Sequence, residues 1–91
     1  MQIRQHMRVY GSVQGVGFRY RAKHMADALS LTGVVHNLPD GSVELEVQGE
    51  EGIIEEYVDR LCNSSYLSVS HIEQKKCGLV EECAFRILDY Y

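Results

Sequence analysis

The residues best suited to chemistry lie in one short stretch, SVQGVGFR, at positions 12–19. Gly15 and Gly17 let the backbone bend sharply and leave its N–H groups accessible, because glycine has no Cβ and readily adopts left-handed conformations. Arg19 adds a permanently charged, planar guanidinium group that suits the oxygens of a phosphate. The stretch therefore predicts an anion site in which successive backbone N–H groups and one arginine share the ligand.

The same residues also have an ordinary structural interpretation, a tight turn between a strand and a helix. The stretch does not match the P-loop pattern GxxxxGK[ST], and Tyr20 stands where the dinucleotide fingerprint needs a glycine. On a helix surface Arg19 could pair with an acidic residue, and Phe18 suits a core position. From these residues alone, the anion site and the plain turn both stay open.

The elements on either side of this loop are visible in the hydrophobic pattern. Residues 7–13 alternate, with Met7, Val9 and Val13 on one face, which predicts a half-buried strand. The period then becomes helical, with apolar residues at Phe18, Ala22, Met25, Ala26 and Leu29. We expect this first helix to stop at Gly33, because glycine favours the residue that follows a helix.

The second half of the chain continues the pattern. Residues 34–35 and the alternating residues 43–47 flank Pro39-Asp40-Gly41, which predicts a β-hairpin whose Ser42, Glu44 and Glu46 face water. A second helix carries one apolar stripe, formed by Ile53, Ile54, Tyr57, Val58, Leu61 and Cys62. A strand around residues 67–74 follows, and a last strand points Phe85 and Ile87 inward.

This order of elements predicts an α+β fold, a ferredoxin-like sandwich. The arrangement is βαββαβ plus a short extra strand, forming an antiparallel sheet with both helices on one face. We find no internal repeat, linker or low-complexity tract, so residues 1–91 are expected to form a single domain.

Composition excludes several classes of function. Nine Lys plus Arg against 13 Asp plus Glu give a net charge of −4, whereas nucleic acids and anionic membranes select a basic excess. The sequence has no run of 18 apolar residues and no secretory leader at its start, so we expect a cytoplasmic protein.

The cysteines and histidines suggest no metal or redox chemistry. Cys62, Cys77 and Cys83 contain no CxxC pair and are expected to be reduced and buried, with a Cys77–Cys83 disulfide as the alternative. The four histidines share no metal-ligand spacing, so no metal and no cofactor are expected.

Residues 11–52, GSVQGVGFRYRAKHMADALSLTGVVHNLPDGSVELEVQGEEG, resemble the signature region of the acylphosphatases. These are small ferredoxin-like enzymes that hydrolyse carboxyl-phosphate mixed anhydrides. The first family motif, G-x-VQGVxFR, matches Gly11 to Arg19, and the second, GxVxNxxDGxVE, matches Gly33 to Glu44. The resemblance implies the ferredoxin-like fold and the activity of an acylphosphate phosphohydrolase.

The resemblance also implies roles for particular residues. Arg19 would bind the phosphate and Asn37 would orient the attacking water, although before Pro-Asp-Gly an asparagine is also an ordinary turn residue. Ser42 stands near the site where relatives carry Thr or Ser, and we expect it to be structural. The phosphate cradle would be completed by the backbone amides of Gln14, Gly15, Val16, Gly17 and Phe18.

Acyl phosphate hydrolysis needs few groups. The leaving carboxylate has low basicity, so no general acid is required. The loose transition state of phosphoryl transfer asks mainly for charge stabilisation and an aligned nucleophile. The resemblance therefore implies direct in-line attack of water on a small acyl phosphate, without a metal or phosphoenzyme. Val34 and His36 depart from frequent family residues and leave the substrate preference open.

Three other functions suit the same fold. A non-catalytic regulatory module would bind phosphate without hydrolysing it. An RNA-binding sheet would need an aromatic and basic surface pattern that this sequence lacks. An acylphosphatase-like domain of a larger carbamoyl-transfer enzyme would need several hundred further residues. We expect a monomer, since no exposed apolar stripe is evident.

Overall fold

Five strands and two helices are present in the described part of the computed structural model, which covers residues 1–14, 17–63 and 68–88. The elements are β1 (Gln2–Ser12), α1 (Phe18–Ala28), β2 (Thr32–Asn37), β3 (Val43–Glu50), α2 (Glu51–Cys62), β4 (Ser68–Cys77) and β5 (Phe85–Ile87). This is the predicted βαββαβ order with one extra short strand. The ferredoxin-like α+β architecture is confirmed.

The sheet has the strand order β4-β1-β3-β2-β5. Its pairs are antiparallel except at one edge, where β5 runs parallel to β2 with Gly33 opposite Phe85. The prediction of a wholly antiparallel sheet was therefore wrong for this last strand. After β4 the chain crosses to the other edge of the sheet through residues 78–84, so β5 enters beside β2 in the direction of β2.

The crossing segment is fixed to the sheet by polar contacts. Arg4, only 4% exposed on β1, pairs with Glu46 of β3 and with Glu82 of the segment. The Gln48 side chain both donates to and accepts from the backbone of Val80. Glu82 of the crossing segment is therefore part of a partly buried ion-pair network around Arg4.

The hydrophobic core lies between the two helices and the face of the sheet opposite to Arg4, Glu46 and Gln48. Tyr57 of α2 is fully buried, packs its ring against Phe85 and donates its hydroxyl to the Ala22 carbonyl of α1 at 2.9 Å. Burial of this apolar face supplies the main driving force that holds both helices on the sheet. The sheet contributes the core residues Met7, Val9, Val35, Val43, Leu45 and Val47.

Helix α1 ends earlier than predicted. Its last residue is Ala28, and the chain turns through Ser30, which has a positive φ of 58°. Gly33 is not the helix stop but a residue of β2. A Cβ at Gly33 would lie 1.9 Å from the Glu46 carbonyl oxygen, so this glycine allows β3 to approach β2 closely.

The β2–β3 hairpin is confirmed. The Leu38 N–H donates to the Ser42 carbonyl at 2.9 Å across the turn, and Gly41 takes a φ of +94°. Ser42, however, does not face water, because it is 2% exposed. Glu44 and Glu46 lie on the sheet face that carries no helix and are half-buried.

The three cysteines correct another expectation. Cys62, Cys77 and Cys83 are free thiols at exposed positions, so they are not small core residues. Cys62 ends α2 and Cys77 ends the edge strand β4, where the core no longer covers them. Within the described ranges, no helix is long and apolar enough to span a lipid bilayer.

Candidate active site

A cavity of about 210 Å³ lies where the loop after β1, the start of α1 and the end of β2 meet. It brings together Arg19 and Asn37, the two side chains that the sequence singled out from separate motifs. The cavity is lined by Val13, Gly17, Phe18, Arg19, Tyr20 and Asn37. The fold thus places a cation, the beginning of a helix and a side-chain amide around one small space.

The start of α1 supplies backbone donors to this cavity. Gly17 is the residue before the helix, with a left-handed φ of 76°, and the Arg21 N–H donates to the Gly17 carbonyl at 3.0 Å. This is the first bond of the helix, and the N–H groups that precede the first helical bond generally point out of the helix end. These N–H groups and the positive end of the helix dipole both favour an anion at the start of α1.

The predicted cradle residues are placed as follows. Phe18 is 2% exposed, so its ring belongs to the core and only its backbone can serve a ligand. Gly17 stands at the cavity wall, and no atom of the described residues beyond its chain neighbours lies within 4 Å of where a Cβ would be. Gly15 and Val16 fall outside the described residues.

Gln14 has a side-chain role that the sequence did not indicate. Its amide nitrogen donates to the carbonyls of Leu38 and Ser42, each at 2.8 Å. These two carbonyls flank the hairpin turn that follows Asn37. The first residue of the predicted phosphate loop is therefore tied directly to the turn next to the second predicted catalytic residue.

The side-chain oxygen of Asn37 is unusual in its hydrogen bonding. Its Oδ1 is buried, and among the described residues no hydrogen-bond donor reaches it. Buried acceptors are nearly always paired, because an unpaired one loses its interaction with water. An acceptor of this kind beside a cavity is suited to hold a water molecule or a ligand donor.

The turn that follows Asn37 is stabilised by a compact polar network. The Asp40 carboxylate accepts from the Ser42 hydroxyl, from the Ser42 N–H at 2.9 Å and from Arg8 at 2.7 Å. Bonding from the Ser42 hydroxyl and N–H, with Arg8 adding to it, holds the pKa of Asp40 below its ordinary value. Ser42 is therefore bonded into the turn itself.

A second charged network lies directly behind Asn37. His36 and His6 each place Nε2 against the Glu44 carboxylate, at 2.7 Å and 2.9 Å. The hydrogen bond from His36, with that from His6, keeps the pKa of Glu44 below its ordinary value. Since adjacent strand residues face opposite sides, this network sits on the helix-free face of the sheet and Asn37 on the other.

Two features of the site were not predicted from the sequence. The Gln14 contact joins residues far apart in the chain, and no pattern signals it. Tyr20 lines the cavity, and its position in the first turn of the helix, directly after Arg19, could have indicated this. No group of three His, Cys, Asp or Glu side chains in the part of the chain described here is arranged to hold a metal ion.

Comparison with known proteins agrees with both motifs. The acylphosphatase family model matches residues 5–87. An acylphosphatase of Chlorobaculum tepidum is 44% identical over 93% of this chain and 95% of its own length. One from Clostridium perfringens is 46% identical over 80% of this chain and 83% of its own.

A solved structure shows the same architecture. The crystal structure of acylphosphatase from Bacillus subtilis superposes with a TM-score of 0.87 at 34% identity, covering 97% of this chain and 99% of that one. Fold, sequence and motif order therefore agree over nearly the whole length. The chain belongs to the acylphosphatase family.

Proposed function

We propose that the chain hydrolyses the carboxyl-phosphate bond of small acyl phosphates, releasing a carboxylate and inorganic phosphate. Membership of the acylphosphatase family supports the reaction class. A cavity that holds a cation and a helix N-terminus suits the phosphate end of such a substrate. No observation favours the non-catalytic regulatory module, which would bind phosphate and leave the bond intact.

Arg19 and the loop amides form the phosphate cradle in this proposal. The guanidinium group and the backbone N–H groups of residues 14–19 bind the phosphoryl oxygens and stabilise the charge that builds up in the transition state. Donors that belong to the backbone of a folded loop need little reorganisation when a reaction occurs. Arg19 lines the same cavity as the start of the helix.

Asn37 orients the nucleophile. The observation that carries this role is its buried Oδ1, which no described donor reaches, in the same cavity as Arg19. That oxygen can accept one hydrogen bond from the attacking water and so direct the water lone pair at phosphorus. Alignment of a bound nucleophile can account for several orders of magnitude in rate.

The chemical step then balances without a general acid or a metal. The water oxygen forms a bond to phosphorus while the bond from phosphorus to the acyl oxygen breaks, and the electron pair leaves with the carboxylate. A phosphate oxygen takes the water proton. A carboxylate leaving group is stable without protonation, which is why the site can work with one arginine and one amide.

The same proposal includes the setting of the enzyme. We propose a single domain over residues 1–91, because one hydrophobic cluster joins the sheet and both helices. The free thiols support a reducing, cytoplasmic location, and the net charge of −4 argues against nucleic acid as a partner. Among the described residues the exposed large apolar side chains are scattered, which supports a monomer.

The test compares benzoyl phosphate hydrolysis by the wild type, Arg19→Lys and Asn37→Ala, with EDTA present. Arg19→Lys should lower kcat/KM by about 100-fold or more, because lysine cannot reproduce the bidentate fork. Asn37→Ala should lower kcat by about 100-fold while the inhibition constant of inorganic phosphate stays within about twofold. Arg60→Lys, at an exposed arginine of α2, is the matched control and should behave as the wild type.

Each outcome identifies a different error. Phosphate binding without hydrolysis by the wild type would establish the regulatory module. Activity that disappears with EDTA and returns with a divalent cation would overturn the metal-free step. A normal kcat in the Asn37→Ala enzyme would remove the water-orienting role.

A further inference from the structure

A second cavity adjoins the one that holds Arg19 and Asn37. It has a volume of about 370 Å³ and is lined by Gly17, Tyr20, Arg21 and His24. Gly17 and Tyr20 line both cavities, so the two spaces meet at the first turn of α1. Its volume lies within the range of about 300–1,000 Å³ that is common for small-molecule sites.

The position of Asn37 indicates on which side of phosphorus the acyl group lies. Asn37 lines the smaller cavity but not the larger one. In-line displacement places the attacking water and the leaving oxygen on opposite sides of phosphorus. If the water is held at Asn37, the acyl group must lie away from Asn37, and the larger cavity shares Gly17 and Tyr20 with the smaller one but not Asn37.

We infer that Tyr20 forms one wall of a site for the acyl group and that the enzyme favours acyl phosphates with a planar, aromatic acyl group over short aliphatic ones. This inference rests on the proposed function. Tyr20 is 62% exposed, whereas the helix residues Phe18 and Ala22 on either side of it are buried. Its exposed ring face can pack against a flat apolar group, and an acetyl group offers little surface for such a contact.

The expected size of the effect follows from the chemistry of aromatic pairs. An offset stack contributes about 0.5–1.5 kcal/mol beyond simple burial, which corresponds to about a twofold to tenfold change in affinity. Tyr20 does not contact the reacting bond in this arrangement. Its loss should therefore raise KM for an aromatic substrate and leave the binding of inorganic phosphate unchanged.

The test measures KM and kcat for benzoyl phosphate and acetyl phosphate in the wild type, Tyr20→Ala and Tyr20→Phe. Tyr20→Ala should raise KM for benzoyl phosphate about threefold to tenfold and that for acetyl phosphate less than twofold. The inhibition constant of inorganic phosphate should stay within about twofold. Tyr20→Phe keeps the ring face and should retain the preference of the wild type.

The possible failures can be told apart. If the wild type hydrolyses neither substrate, the proposed function fails. If it hydrolyses both, and Tyr20→Ala changes KM equally for both or for neither, the acyl site at Tyr20 is wrong while the proposed function stands. Alanine is a strong helix former, so Tyr20→Ala should fold, and an unchanged thermal midpoint would confirm this.

Discussion

Two glycines near the site share a positive φ but differ in what surrounds them. Gly33 has a φ of +151°, and an added Cβ would lie 1.9 Å from the Glu46 carbonyl oxygen. The position of the Cβ is fixed by the Gly33 backbone and the oxygen belongs to the backbone of the paired strand, so no side-chain rotation can relieve the contact. Gly17 has a φ of +76°, and no described atom beyond its chain neighbours lies within 4 Å of its Cβ position, so the conformational preference of the backbone is what opposes a side chain there.

Gly33→Ala should therefore destabilise the protein more than Gly17→Ala. We expect the first substitution to lower the free energy of unfolding by about 3 kcal/mol, because β2 and β3 must move apart. The second should lower it by about 1–2 kcal/mol, the usual penalty of a left-handed alanine. Urea denaturation of both variants and the wild type measures the difference. Equal losses would mean that the sheet absorbs the extra methyl group without separating.

At the scale of the elements, one side chain couples the loop after β1 to the β2–β3 hairpin. Gln14 begins the loop that carries the predicted cradle, and its amide holds the carbonyls of Leu38 and Ser42 at 2.8 Å each. Asn37 is the last residue of β2, directly before this turn. In the proposed site, the distance between the phosphate donors and the Asn37 oxygen therefore depends on the Gln14 contact.

Gln14→Met tests this coupling without adding charge. Methionine fills a similar volume but donates no hydrogen bond, so the loop and the turn lose their direct link. We expect kcat for benzoyl phosphate to fall about tenfold, because small displacements of reacting groups have large effects on rate.

The control for this substitution is Gln5→Met on β1, whose amide bonds to Gln74 at an exposed position. It should leave kcat unchanged. Stability should fall by only about 1–2 kcal/mol in Gln14→Met, the contribution of two ordinary hydrogen bonds. A wild-type kcat in a folded Gln14→Met enzyme would show that the backbone alone maintains the geometry of the site.

The same elements show what the sequence could predict. Helix α1 and the hairpin follow from local signals, the helical spacing from Phe18 onward and the Pro39-Asp40-Gly41 turn. The parallel pairing of β5 depends on a segment that crosses the sheet, and the role of Gly33 depends on a neighbouring strand. Such features are set by tertiary contacts between distant residues, which periodicity and turn chemistry do not encode.

The side chains likewise include some whose placement was predicted from the sequence and some whose placement was not. Arg19 and Asn37 were predicted because each stands in a recognisable motif, and the fold then brings both to one cavity. The exposure of Cys62 and Cys77 was not predicted, because a small apolar side chain at the end of a helix or on an edge strand looks like a core residue in the sequence.

At the scale of the whole molecule, the helix-free face of the sheet is held together by charge. Glu44 of β3 binds His6 of β1 and His36 of β2, so one carboxylate joins the three central strands. The hydrogen bond from His36 is the main reason that the pKa of Glu44 lies below its ordinary value of 4.5. The ionised carboxylate therefore stabilises the folded state.

The pH dependence of this contribution follows from the direction of the pKa shift. Because the folded-state pKa of Glu44 is lowered, its stabilising effect is fully present above about pH 4.5 and is lost as the pH falls through the lower, folded-state value. Glu44→Gln should lower the free energy of unfolding at pH 6 by about 1 kcal/mol, the order expected for a partly exposed ion pair, and should lower the thermal midpoint accordingly. The difference from the wild type should shrink as the pH falls from 4.5 toward 3, because the unfolded chain then gains a proton at Glu44 that the folded chain resists. Glu55→Gln, at an exposed carboxyl of α2, controls for the general loss of a surface charge. A midpoint difference for Glu44→Gln that stays constant from pH 6 to pH 3 would show that the carboxylate charge is not what joins these strands.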